Sequence, residues 1–117
     1  MMPLIKTQIS KECTVEQKEQ LAKTLSKSCA NVLGKPEQYV ASIVEDSLTA
    51  SFAGEISEFV YVELKSIGAL NSQSNRDLSA AICSDIEALL GIPGTKVYIE
   101  MTDVAASFFG WNGTTFG

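Results

Sequence analysis

Between Leu4 and Ser10 the residues alternate, Ile5, Thr7 and Ile9 against Lys6, Gln8 and Ser10. That two-residue period predicts a strand with one buried face. The period then lengthens. Thr14-Val15-Glu16-Gln17 fits a capping box, and Val15, Ala22, Leu25, Cys29, Val32 and Leu33 recur at helical spacing. Gly34 stops this helix and Pro36 prevents its resumption. A second, mostly β-branched strand is predicted over Tyr39 to Glu45, and a short extended piece around Ser51 and Phe52 leads to a turn at Gly54. The order then recurs. Phe59 to Ile67 is a strand with Val60, Val62 and Leu64 on one face. A helix over Asn71 to Leu90 carries Leu78, Ile82, Ile86 and Leu89, and ends at Gly91 before Pro93. Val97 to Met101 is the last strand.

Residues 33–46 (LGKPEQYVASIVED) laid over 90–103 (LGIPGTKVYIEMTD) match at five of fourteen positions, in the same helix-stop-then-strand context. The pattern predicts one domain over residues 1–117, with pseudo-repeats of about 3–58 and 59–117. Its fold class is α/β (α+β): a β-α-β/β-α-β two-layer sandwich, two helices on one face of a four-stranded mixed sheet. The second sheet face has no helices, and apolar residues assigned to it predict an oligomer.

Composition narrows the chemistry. The net charge is −5 over 117 residues, which argues against nucleic acid or an anionic membrane surface as partner. With no histidine, the commonest general base and metal ligand are missing. Cys13, Cys29 and Cys83 are widely spaced and form neither a CxxC nor a zinc pattern. Cys29 and Cys83 fall on apolar helix faces and read as inert. No signal peptide or membrane-length segment is recognisable, so a cytoplasmic location is the default expectation. Asn112-Gly113-Thr114 fits a glycosylation sequon but reads as a turn. Pro3, before the first strand, has two readings. It can start an edge strand, where a missing N–H costs nothing, or become the first residue after processing and act through its secondary amine.

PLIKTQIS at the start, LGKPEQYV, KSIGAL, VYIE and the tail FGWNGTTFG together resemble macrophage migration inhibitory factor and its microbial homologues, in the tautomerase superfamily. The resemblance runs from Pro3 to Gly117. It implies a homotrimer with active sites between subunits, and cofactor-independent keto–enol tautomerase activity on phenylpyruvate-like and dopachrome-like compounds. It makes Pro3 the catalytic base once the initiator methionine is gone. It puts Lys35 and Ile67 at the base of the pocket, Tyr98 in it from the neighbouring subunit, and Tyr39, Trp111 and Phe116 around its mouth. Phe109 stands where the family often has a smaller apolar residue. Glu100 replaces the asparagine of the mammalian protein, and its direction is left open. Phe59 and Val62 replace the mammalian CxxC pair, so thiol-redox activity is not carried over.

A proline nitrogen within a chain is an amide and has no basic lone pair, so this chemistry requires both Met1 and Met2 to be absent from the working chain. Surrounding apolar residues and a nearby Lys35 cation would then lower the amine's pKa toward neutrality. Lys35 is expected to pair with the carboxylate of a small aromatic keto acid, and Tyr98 to donate to the developing enolate oxygen. No metal or organic cofactor is called for. Because the family includes a cytokine, the competing expectation is a binding or signalling protein of the same fold, with a protein receptor and export without a signal peptide.

Overall fold

The computed structural model describes residues 2–117. Strand β1 (Leu4–Ile9) is followed by helix α1 (Val15–Leu33), β2 (Ala41–Glu45), a hairpin of β3 (Ser51–Phe52) and β4 (Glu55–Ile56), and β5 (Val60–Ser66). Helix α2 (Ser72–Leu90), β6 (Val97–Asp103) and a second hairpin of β7 (Gly110–Trp111) and β8 (Thr114–Thr115) complete the chain. The main sheet has the order β2-β1-β5-β6. β1 runs parallel to β2 and β5 parallel to β6, while β1 and β5 are antiparallel at the centre.

Both helices begin and end as their sequences dictate. Thr14 caps α1 through its reciprocal box with Gln17, and Asn71 caps α2 with Ser74. Gly34 and Gly91 adopt left-handed backbone at the two stops, with φ of 64° and 71°, a conformation that costs glycine least. Ile5, Ile9, Val60, Val62 and Leu64 face the helices, meeting Leu21, Leu25 and Cys29 of α1 and Leu78, Ile82 and Ile86 of α2. Each such side chain contributes about 1.5–3 kcal/mol by leaving water. The observed layers are the predicted two helices on a mixed four-stranded sheet.

Three local expectations are corrected. Val15, assigned to the buried stripe, is 66% exposed: it is the first residue of α1, whose buried residues begin only at Leu21. Tyr39 does not begin the second strand: Pro36 starts a single 3-10 turn over Glu37–Tyr39, and β2 begins at Ala41. The open sheet face is not predominantly apolar. Lys6, Glu63, Lys65 and Glu100 share it with Ile43 and Tyr61, since strand alternation turns the branched apolar residues toward the helices.

Candidate functional site

The parallel pairing of β1 and β2 sets the geometry. It places Leu4 beside Ala41, and the Pro3 carbonyl accepts the Ala41 N–H at 3.1 Å. The 3-10 turn after Pro36 therefore lies against the start of β1. The C-terminal segment closes this region. Phe116 donates its backbone N–H to the Phe109 carbonyl at 3.1 Å, and Asn112-Gly113 turns the hairpin between them with φ of 52° and 81°. Positive φ at both residues is the type I′ arrangement that matches strand twist.

A cavity of about 470 Å³ results, within the size range of small-molecule sites, roughly 300–1,000 Å³. Met2, Pro3 and Leu4 line it from β1 and the segment before it, Tyr39 and Val40 from the segment before β2, and Phe109, Trp111 and Phe116 from the C-terminal segment. The Trp111 and Phe116 rings stack 6.1 Å apart at 9°, and Phe109 lies 6.2 Å from Phe116 at 31°. These are planar, mutually aligned surfaces that suit a flat aryl group. Met2 is 4% exposed and its φ is 54°. While it remains attached, the Pro3 nitrogen is an amide.

Five of the expected site residues (Pro3, Tyr39, Phe109, Trp111 and Phe116) thus meet around one cavity. Lys35 and Ile67 meet each other instead: the Lys35 ammonium donates to the Ile67 carbonyl at 2.8 Å, and neither residue lines the cavity. Tyr98 lies elsewhere in the chain, 60% exposed, with its ring against Phe52 and Phe59. Glu100 is on the open sheet face, in register with Glu63, and accepts a hydrogen bond from the Thr102 hydroxyl. Burial, then Glu63, then Glu100 push the Tyr61 hydroxyl above its ordinary pKa. Sequence reasoning missed Met2, Leu4, Gln38 and Val40 as lining residues. Their signal was adjacency to Pro3 and Tyr39, once the parallel β1–β2 pairing is known.

The thiols stay protonated at neutral pH. Burial pushes Cys29 up to about 12, and burial also raises Cys13 and Cys83, with Asp46 and Glu87 respectively adding to it. Among the described residues no group of three or more potential ligands could hold a metal ion. Among the described residues, no helix is long and apolar enough to cross a membrane.

The family model described as Macrophage migration inhibitory factor (MIF) matches residues 2–117. A macrophage migration inhibitory factor homolog of Trichuris trichiura is 37% identical over 94 residues, spanning 80% of this chain and 82% of that protein. The macrophage migration inhibitory factor of Mus musculus is 35% identical over 92 residues, spanning 79% and 80%. A crystal structure of the homologue from Prochlorococcus marinus superposes with a TM-score of 0.93 at 40% identity, covering 97% of this chain and 99% of that one.

Proposed function

From the premise that this chain belongs to the macrophage migration inhibitory factor family, we propose that it is a cofactor-independent keto–enol tautomerase. Its substrates are phenylpyruvate-like acids and, by the same chemistry, dopachrome-like compounds. The observation that carries the reading is that Pro3 lines one cavity together with Tyr39, Phe109, Trp111 and Phe116.

With Met1 and Met2 removed, the Pro3 nitrogen is a secondary amine in an apolar setting. Desolvation disfavours its cation, so a useful fraction is the free base near neutral pH. The aryl ring of the substrate stacks against Trp111 and Phe116. The substrate carboxylate draws the Lys35 ammonium, which also donates to the Ile67 carbonyl. At 4 Å and an effective dielectric near 20 that pairing is worth up to about 4 kcal/mol before desolvation.

Pro3 takes a proton from the carbon next to the carbonyl. The C–H electron pair becomes the new C=C bond, and the carbonyl π pair moves to oxygen. The Tyr98 hydroxyl of the neighbouring subunit donates to that oxygen in a homotrimer, and the prolinium returns its proton there. Ketonisation is the reverse. Glu100 is assigned no step. Replacing Pro3 by glycine in a chain that begins at residue 3 is expected to lower the rate of phenylpyruvate tautomerisation about 10²–10⁴-fold, with the oligomer intact. Unchanged turnover would sink proline catalysis. Undetectable activity in both chains, with both folded, would favour the binding-protein reading.

A further inference from the structure

Tyr98 stands on an edge strand. β6 pairs with β5 alone in the sheet, and Tyr61 is the register partner of Tyr98. An exposed tyrosine in such a position ordinarily has several rotamers open to it. Here two rings from other elements pack against one side of it. Phe59, at the entrance to β5, meets the Tyr98 ring edge-on at 5.2 Å and 87°. Phe52 of β3 does the same at 5.8 Å and 89°. Phe52 and Phe59 stack on each other at 5.2 Å and 25°, so the three rings form one packed unit at separations aromatic pairs favour.

The unit is anchored at both ends. The Lys96 ammonium stands 5.2 Å from the centre of the Phe52 ring and donates to the Ser57 hydroxyl at 2.6 Å. The Ser10 hydroxyl, at the end of β1, donates to the Ser57 carbonyl at 2.8 Å and accepts the Phe59 N–H at 2.7 Å. The segment that carries Phe59 is therefore fastened to the central strand of the sheet.

We propose that Phe52 and Phe59 are positioning residues that hold the Tyr98 ring in one orientation, and with it the hydroxyl offered to a neighbouring subunit's substrate. The proposal rests on the reading of Tyr98 as the enolate donor. A hydroxyl that must find its orientation on each turnover loses part of its value to the transition state and little of its value to ground-state binding.

The test is a double-mutant cycle on phenylpyruvate tautomerisation, using chains that begin at Pro3. Phe59→Ala is expected to lower kcat about tenfold with KM nearly unchanged, within the cost of a lost oxyanion donor. In a Tyr98→Phe background the same substitution is expected to have no further effect, because the hydroxyl is already gone. Phe59→Tyr, which keeps the ring, restores kcat, and Phe59→Leu serves if the alanine variant does not fold. A second readout needs no activity. With meta-fluorotyrosine at the three tyrosines, the Tyr98 signal, identified by its loss in Tyr98→Phe, should lie away from the free-tyrosine position because of the two neighbouring rings. In Phe59→Ala or Phe52→Ala it should move toward that position and sharpen as the ring turns freely.

Equal fold-losses in both backgrounds, or a fluorine resonance indifferent to both substitutions, would overturn the proposal. So would a Tyr98→Phe chain as active as the parent. If the parent chain has no tautomerase activity, the enzymatic reading fails by itself, and the fluorine spectra alone decide whether Phe52 and Phe59 hold the ring.

Discussion

The Thr7 hydroxyl is fully buried on the helix-facing side of β1 and has no hydrogen-bond partner among the described residues. Leaving such a group unpaired costs about 1–3 kcal/mol, whereas valine fills the same volume with carbon. Thr7→Val is therefore expected to stabilise the fold by about 1 kcal/mol, read as a higher urea midpoint at unchanged slope. A lower midpoint would mean that the hydroxyl has a partner in the assembled protein. Alternation alone placed Thr7 in the row of Ile5 and Ile9, so its burial was legible from the sequence. Its missing partner was not, because hydrogen bonding across layers depends on register and helix placement. The same limit governed the site residues. Pro3, Tyr39 and the three tail aromatics belong to motifs that the fold brings together around one cavity. The bond from Lys35 to the Ile67 carbonyl needed coordinates.

At the scale of elements, the capping box at Thr14, the helix-stopping glycines and the strand periods carried most of the fold, while the second box at Asn71 and Ser74 emerged with the structure. The first strand of one hairpin, at Ser51 and Phe52, and the turns at Gly54 and Asn112-Gly113 were legible, but β4, β7 and β8 were not, since two-residue strands are too short to show a period. One junction between elements has a pH signature. Asp46 follows β2 and reaches the segment before α1. The Cys13 backbone N–H at 2.8 Å and the Lys18 ammonium at 3.3 Å hold its carboxyl below the ordinary carboxylate range, against the opposing effect of desolvation. A depressed folded-state pKa contributes stability above the unfolded-state value and loses it as pH falls through the folded one. The urea midpoint is thus expected to drop on acidification below about pH 4. Asp46→Asn should have a lower midpoint at neutral pH and a flatter acid limb. Parallel acid limbs for the two chains would remove Asp46 from the account.

At the scale of the whole molecule, the groups proposed to act in catalysis lie in two places on a single chain. The aromatic cavity lies at the N-terminal end of β1, and Tyr98 with its two phenylalanines lies outside it. A homotrimer that lends Tyr98 to the next cavity is the arrangement under which both sets act on one substrate. The sequence predicts association from an apolar open face. That face carries mixed charges, so the edges of β2 and β6, unpaired among the described residues, are the features that favour association.

The central claim is that a free Pro3 amine is the base, and Met2 decides whether that amine exists. The most direct measurement compares phenylpyruvate enol–keto conversion by two purified chains of equal oligomeric state, one beginning at Pro3 and one retaining Met2. The account predicts activity in the first and a loss of about 10²–10⁴-fold in the second. Equal rates would contradict it, because an amide nitrogen cannot take the proton.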